Sequence, residues 1–574
     1  MTTSNQTRVN VSKGKKFLIT AGLPYSNGRL HVGHIAGAYL PADIFSRYLR
    51  LSGADVRAIC GSDDYGVAIM VTADKEGKTP AEIAEYYNQS HKNALAGLNI
   101  DFDIYSATSR NPYHKPTTQE FFLTLSNKGY LKKGSTNQFY DPMKEMFLPD
   151  RYVKGRCQYC NSLDQNGDQC EHCGNLLDTN TLLDPVSTVS NSPALVKSTA
   201  HWFFDLSIFE QNIRSWLDTA LIRPNTKSYV EGLFSTGLVT RAMTRDINWG
   251  IPVPLEDPDA QNKVIYVWFD APIGYISNTK ELCSIQDSNP DTYTDWWKSS
   301  NCEIYHFIGE DNTIFHSIIW IAMLSAEGSF NLPNGVIVNS FLNIKFPTHD
   351  VEKISKSRGS AIWIDEFLLL GYGPDALRYY LTAISPEQTR SIYKPDDLIT
   401  RYHSELGNAL GNLVSRTLSM TQKYIGSYVP DIGDSYANEQ DLIFSQLTKK
   451  IHQEVTELIE SFCFRQAQDR IFEFVRECNK YLDNKAPWKT AKSDISITQV
   501  TLFYCLSAIK NIAVLLLPFL PTTAEKILAQ FQIDSKTVCW KDALTDLSPL
   551  SYVGEPIILF PRIEEKVEPL GPNK

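Results

Sequence analysis

Two short clusters carry residue types suited to phosphate. The first is His31-Val32-Gly33-His34, preceded by Pro24-Tyr25-Ser26-Asn27-Gly28. Two imidazoles three residues apart, where a turn gives way to helical spacing, offer N–H donors to charge on a transferring phosphoryl group. A helix N-terminus adds backbone donors and a partial positive charge. Gly33 leaves room for a nucleotide to come close. The same spacing also suits a zinc-binding pair or arises by chance. The second cluster is Lys353-Ile354-Ser355-Lys356-Ser357-Arg358-Gly359. Its two lysines are flexible point charges that suit a polyphosphate leaving group, although charge runs of this kind are often only solvated surface.

Two further groupings stand apart from these. Cys157, Cys160, Cys170 and Cys173 form a C-x2-C-x9-C-x2-C array, with Gly155, Gly167 and Gly174 beside it as knuckle turns. Four thiolates close a tetrahedral sphere, which points to one structural Zn2+ rather than a catalytic one. Redox thiols and plain packing are the alternatives. Asn412 and Arg416 lie one helical turn apart and share a face. With Trp488 they could read and stack an unstacked base, or they could be a helix cap and a core tryptophan. Lys485, Lys489 and Lys492 surround Trp488, as phosphate contacts would require.

Elements must position these groups. Lys16–Ala21 (KFLITA) and Asp55–Cys60 (DVRAIC) read as strands around a helix over His34–Leu51, in which Ile35, Tyr39, Ile44, Tyr48 and Leu51 share a face. Strand, loop, helix and strand in that order suggest a parallel α/β unit. In such units ligands bind beyond the carboxyl ends of the strands, where His31–His34 and Asp63-Asp64 fall. From about Thr118 to Arg245 the rhythm is irregular. It resumes with strand-like Val264–Phe269, Glu303–Ile308 and Val336–Asn339 and a helix over Thr313–Leu324. After about Pro395 the apolar residues step by three and four, as in Phe444, Leu447, Ile451, Val455, Leu458 and Phe462, which is the pattern of a helical bundle.

Composition bounds the reading. The 574 residues carry 55 basic and 65 acidic groups, a net charge of −10, which excludes a chain coated in nucleic acid but not one with local basic patches. Arg476–Lys492 is such a patch, with five basic and two acidic residues. Eleven cysteines, an odd number, in a chain without an apolar leader favour a reducing, cytoplasmic setting. The longest apolar run, Ile512–Leu520, is too short to span a bilayer and reads as a buried helix end. No membrane association is expected.

A H-x-G-H motif followed about 320 residues later by K-x-S-K-S, around a split parallel sheet, resembles the class I aminoacyl-tRNA synthetases. The closer resemblance is to the methionyl-tRNA synthetase family. It rests on Ala21–Tyr25, Val267–Tyr275 (VWFDAPIGY), His306–Asn312, Asp375–Tyr380, Gly411–Arg416 and Ala486-Pro487-Trp488, and spans roughly Phe17 to Arg562. Three features depart from the family pattern. Ile354 stands where the family usually has Met or Phe, Glu310 stands where Lys is frequent, and the stretch after the last strand continues through Lys345–Asp350.

The resemblance implies ATP-dependent activation of L-methionine to methionyl-adenylate. Transfer to the 3′-terminal adenosine of tRNA(Met) follows, with release of AMP and pyrophosphate. It implies His31, His34, Lys353 and Lys356 as catalytic residues, and His31, Gly33, His34, Gly309, Asp311, Lys353 and Lys356 around ATP and its Mg2+. Leu23, Tyr25, Asp63, Trp268, Pro272, Tyr275 and His316 would bind methionine, with Asp63 pairing the ammonium. Asn412, Arg416 and Trp488 would read the anticodon, and Cys157, Cys160, Cys170 and Cys173 would hold zinc. Arg245 and Asp246 are further active-site candidates. A sister synthetase, a nucleotidyltransferase without tRNA, and a non-catalytic zinc adaptor are the rival readings.

The expected domains are a flexible N-terminus (1–14), a Rossmann-type parallel-sheet catalytic domain in two halves (15–117 and 246–345), and a connective insertion (118–245) with a zinc knuckle near 150–178. A lysine-loop and stem-contact region (346–395), an α-helical anticodon-binding domain (396–555) and a tail (556–574) complete the chain. Because that tail is short, a monomer is expected, without the extra C-terminal module of some relatives.

Overall fold

The structure is a computed structural model that describes residues 8–149, 152–166, 172, 182–346, 350–354, 360–433 and 437–563. Cys170, Cys173 and Lys356 lie outside the described residues, as do Ser355, Ser357–Gly359 and the tail from Glu564.

The run Lys16–Ala21 (β1) is apolar on both faces and almost wholly buried, as a central parallel strand must be. Asp55–Ser62 (β2) and Ile104–Ala107 (β3) follow it on one side, with the helix Leu40–Leu51 (α1) crossing between β1 and β2. The helix Pro80–Gly97 (α2) crosses between β2 and β3 and opens on a Thr79/Glu82 capping box. The inserted segment contributes an antiparallel pair, Leu131–Asp141 (β4) and Leu195–Asp205 (β5). It then returns Leu221–Ile222 (β6) to the catalytic sheet. Cys302–Gly309 (β7) and Gly335–Asn339 (β8) complete that sheet. Its order is β6-β8-β7-β1-β2-β3, and every pairing is parallel. The chain therefore leaves β1 in one direction towards β2 and in the other towards β7. Such a reversal opens a crevice at the strand carboxyl ends.

Three local readings are corrected. Val264–Phe269 is a strand only at Val264–Ile265; Val267 instead begins a long buried helix, Val267–Gln286 (α3), interrupted by nothing but Pro272. A short apolar run has no period that separates a strand from a buried helix. The stretch read as an insertion supplies β6 to the main sheet, anchored by Leu221 pairing with Gly335. The N-terminal stretch is docked where it is described: Val9 is buried, and its N–H donates to the Glu460 carbonyl at 3.0 Å.

Beyond β8 lies a small three-stranded sheet. Its middle strand, Leu342–Ile344 (β9), pairs antiparallel with Glu352–Lys353 (β10) on one side and parallel with Ser391–Tyr393 (β11) on the other. Between β10 and β11 lies the helix Pro374–Ala383, preceded along the chain by Trp320–Glu327 (α4) behind β7; they are α5 and α4 respectively. The helical part contains Asn412–Tyr424 (α6), Glu439–Glu460 (α7), Phe464–Lys485 (α8) and Ile495–Leu516 (α9). Helix α9 is long and apolar enough to cross a membrane by length and composition, but it is 94% buried inside the protein and forms the core of the bundle.

The two parts are joined by Arg378 of α5, which is fully buried. Its guanidinium donates to the carbonyls of Leu98, Asn99, Pro518 and Phe519 and pairs with Asp43 at 2.7 Å.

Candidate active site

A cavity of about 350 Å³ opens at the carboxyl ends of β1 and β7. Gly22, Leu23 and Tyr25 leave β1, Asp63 follows β2, and Gly309 and Asp311 follow β7. Trp268, Pro272 and Tyr275 come from α3, His316 from the segment before α4, and Lys353 from β10. All the described residues expected at ATP and methionine line this one cavity. Residues from positions 22 to 353 thus meet because the sheet order reverses between β1 and β7.

The histidine motif is locked by its own backbone. His31 caps the helix start, and its Nδ1 accepts from the Gly33 N–H at 3.1 Å. His34 Nδ1 accepts from the His31 N–H at 3.1 Å. With Nδ1 accepting in both, the neutral rings carry their protons on Nε2. The rings stack with centroids 3.7 Å apart. Gly33 permits this: a Cβ there would lie 3.0 Å from the His31 ring and 3.2 Å from Ile354 Cδ1. The departure Ile354 is therefore the buried side chain that covers the motif glycine. Immediately after the motif the helix runs as a π-turn over Ile35–Tyr39, a device frequent at functional sites. It places Tyr39 on the cavity wall, with its hydroxyl donating to the Gly22 carbonyl at 3.2 Å.

The apolar end has a defined hydrogen-bond polarity. His316 Nδ1 lies 3.1 Å from the Asn312 carbonyl, so it must donate there. Nε2 is then the acceptor, and the Tyr275 hydroxyl, 2.7 Å away, donates to it. Burial pushes the His316 pKa down to about 4, which keeps the ring neutral. Trp268 stacks on Phe315 with centroids 3.4 Å apart and meets Tyr25 edge-on. The result is an aromatic slot with one neutral polar end.

Asp63 is buried behind this slot, its backbone pinned by Pro24 and Ser26. Burial, and then the charge of Asp270, raises its pKa well above the usual carboxylate range. Asp270 is itself buried, and burial raises its pKa too. Neither of its carboxyl oxygens has a hydrogen-bond partner among the described residues. Its neighbour His114, 3.6 Å away, is pushed down to about 3 by burial and is neutral. Two buried acids side by side make a strongly cation-seeking corner.

Arg245 and Asp246 lie elsewhere, lining a neighbouring cavity of about 500 Å³ that shares Tyr25 and Trp268 with the first. Arg245 stacks on Tyr266 at 3.6 Å, and Asp246 is taken up by Lys263, His201 and Thr199.

In the helical part Arg416 and Trp488 do meet, with the guanidinium 5.5 Å from the indole ring and 2.9 Å from Asp483. Asn412 is exposed one turn earlier on α6. Ala486, with φ of 44°, turns the chain so that Pro487-Trp488 can start a new helical turn. Lys485 is corrected: it is buried against Asp441 at 2.6 Å and faces no phosphate, whereas Lys489 and Lys492 are exposed.

At the cysteine array, the Tyr159 N–H donates to Cys157 Sγ at 3.4 Å, and the Asn161 N–H donates to the Cys157 carbonyl in a turn closed by Asn161 at φ 57°. An N–H bond to sulfur stabilises a thiolate, so this half of the array fits a metal knuckle. Among the described residues no group of three or more metal ligands occurs.

Four residues at the site carry no signal in the sequence. Tyr39 and Phe315 read only as helix residues. Trp363 reads as loop, yet it lies 5.9 Å from the His31 ring. Arg390 is paired to Glu310 only by tertiary contact.

Comparison with known proteins places residues 17–418 in a family model described as "tRNA synthetases class I (M)". Residues 429–568 match the "Anticodon binding domain of methionyl tRNA ligase". The chain is 41% identical over 557 residues to a methionine–tRNA ligase of Porphyromonas gingivalis, covering 96% of this chain and 80% of the relative. A methionine–tRNA ligase of Pyrococcus horikoshii is 39% identical over 562 residues, covering 96% and 76%. Among solved structures, a Mycobacterium tuberculosis methionyl-tRNA synthetase in complex with methionyl-adenylate matches with a TM-score of 0.77 at 24% identity, over 96% of this chain and all of that one.

Proposed function

Since the chain belongs to the methionyl-tRNA synthetase family of class I tRNA synthetases, we propose how its residues divide the work of a methionine–tRNA ligase. The enzyme activates L-methionine with ATP to methionyl-adenylate and transfers the methionyl group to tRNA(Met). The observation that carries the division of roles is the single cavity in which the stacked histidines, Lys353 and the aromatic slot converge across the switch between β1 and β7.

Methionine lies with its thioether in the slot of Leu23, Tyr25, Trp268, Pro272, Tyr275 and His316, where sulfur meets aromatic rings. A neutral His316 avoids setting a charge against an apolar side chain. The ammonium sits at Asp63. The carboxylate then attacks the α-phosphate of ATP in line, so catalysis is positioning plus electrostatic stabilisation. The Nε2–H groups of His31 and His34 donate to the phosphoryl oxygens. Gly33, Gly309 and Asp311 frame the nucleotide, and Lys353, with Lys356 beyond the described residues, draws the β- and γ-phosphates. Mg2+ accompanies ATP as its polyphosphate counter-ion. In the second step the 2′-hydroxyl of the terminal adenosine attacks the acyl carbonyl and AMP leaves.

Asn412, Arg416 and Trp488 read the anticodon, supported by the Arg416–Trp488 contact. Cys157, Cys160, Cys170 and Cys173 hold a structural Zn2+, supported by the N–H···S bond at Cys157. The enzyme acts in the cytoplasm as a monomer.

ATP–pyrophosphate exchange with single amino acids tests the reading. Exchange with methionine and not with leucine, valine, isoleucine or cysteine is expected, and the reverse selectivity would overturn it. Trp488→Ala should leave exchange intact while tRNA charging falls; unchanged charging would remove the anticodon assignment.

A further inference from the structure

Glu310 presents a problem at this site. It follows β7 directly, between Gly309 and Asp311, both of which line the nucleotide cavity. A second acid beside Asp311 would oppose the entry of a polyphosphate. Its carboxylate is divided between two partners. Oε2 accepts from the Phe341 N–H at 3.0 Å, and Oε1 accepts from Nη2 and Nε of Arg390 at 2.6 and 3.2 Å.

The small sheet explains why Arg390 is there. Parallel pairing of β9 with β11 sets Leu342 opposite Ser391, which brings the preceding residues Phe341 and Arg390 side by side. Antiparallel pairing on the other edge brings Lys353 to the same place. Both cations lie over the Phe341 ring, Lys353 at 4.1 Å and Arg390 at 5.5 Å from its centroid. Phe341 and Lys353 line the cavity. Arg390 remains 62% exposed even so. Two of its five N–H donors serve Glu310, and its Nη1 edge makes no hydrogen bond among the described residues.

We propose that Arg390, tethered by Glu310, is a further ATP polyphosphate-binding cation that works with Lys353 across the Phe341 ring. Glu310 acts as its positioning residue: it aims the guanidinium instead of touching the nucleotide. A planar guanidinium held on one edge by a carboxylate keeps its other edge oriented for phosphate oxygens, which a loose surface arginine does not. The inference rests on the assignment of the cavity to ATP and methionine given above.

The test is steady-state ATP–pyrophosphate exchange on the full chain, with KM measured separately for ATP and methionine. Arg390→Gln should raise the KM for ATP about tenfold, the scale of one charge-assisted phosphate contact, and leave the KM for methionine within about twofold. Arg390→Lys should recover part of the loss. Glu310→Gln should raise the KM for ATP only about threefold, because the cation stays while its tether is gone. A purely structural ion pair predicts otherwise: Arg390→Gln and Glu310→Gln would shift ATP binding equally, or would disturb both substrates alike. Either of those results overturns the proposal, as does an unchanged KM for ATP in Arg390→Gln or no recovery in Arg390→Lys. Absence of methionine-dependent exchange in the parent enzyme would instead overturn the underlying assignment.

Discussion

Replacing Gly33 with alanine isolates the geometry of the histidine pair. The added Cβ would stand 3.0 Å from both Cε1 and Nδ1 of His31 and 3.2 Å from Ile354 Cδ1. Comfortable carbon contacts begin at about 3.5 Å, so the overlap is about 0.5 Å against the His31 ring and about 0.3 Å against Ile354 at once. His31 cannot simply retreat, because its ring is stacked on His34 at 3.7 Å and its Nδ1 is held by the Gly33 N–H. Moving the ring gives up one hydrogen bond, worth about 0.5–1.5 kcal/mol, and displaces the Nε2–H donors by a similar half ångström or more. A misplacement near 1 Å costs about a hundredfold in rate. Gly33→Ala should therefore lose about thirtyfold to a hundredfold in kcat for ATP–pyrophosphate exchange, while its thermal midpoint falls by only a few degrees. The KM for methionine should change little, since the slot lies on the other side of the cavity. If exchange stayed within about threefold of the parent, the claim that backbone-locked imidazoles place the donors would be wrong. The same holds if the loss matched a collapse in stability.

Three other expectations follow from the same structure. Arg378→Ala should cost about 3–5 kcal/mol in denaturant unfolding, because it empties a fully buried site, takes one of two arginine partners from Asp43, which keeps Arg47, and removes the donor from the Leu98, Pro518 and Phe519 carbonyls between the catalytic and helical parts; a cost under about 1 kcal/mol would contradict its role as the joint. Asp270→Asn should stabilise the protein at alkaline pH. Burial holds the folded-state pKa of Asp270 above its unfolded value, so stability is lost as pH rises from the unfolded pKa, about 4, through the raised one. The variant's advantage in Tm should grow with pH above about 4 and vanish below it; a pH-independent difference would refute the assignment. Tyr275→Phe should raise the KM for methionine several-fold, since the buried Nε2 of His316 loses the hydroxyl that donates to it, a loss of about 1–3 kcal/mol when uncompensated. A KM within the error of the parent would show that the hydroxyl is dispensable.

Much of the site was legible because its chemistry is carried by short motifs. His31-Val32-Gly33-His34 sits on a strand-to-helix junction, and that local order alone puts it at the carboxyl edge of β1. The long helices of the bundle were equally plain, since their apolar period persists over five turns or more. The short run Val264–Phe269 was not, because six apolar residues suit a strand and a buried helix equally, and burial on all sides of the first half of α3, Phe269 to Thr279, erases the amphipathic signal. Lys485 shows the same limit for charge. In the sequence it belongs to a basic patch, but the fold turns it inward onto Asp441.

Taken alone, the chain's order of residues determined the parallel α/β class, the phosphate-handling motifs, the helical bundle and the family to which it belongs. These depend on local propensity, spacing and residue type, which a linear reading retains. The tertiary structure decided what depends on register between distant strands. It returned Leu221–Ile222 to the catalytic sheet, placed Ile354 against Gly33, set the direction of the Tyr275–His316 hydrogen bond, and brought Arg390 to Glu310 beside the nucleotide cavity. Residues 80 positions apart become neighbours only when β9 pairs with β11, and no local pattern encodes that pairing. The overall charge of −10 is a sum over the surface; which of those charges face a phosphate is a property of the fold.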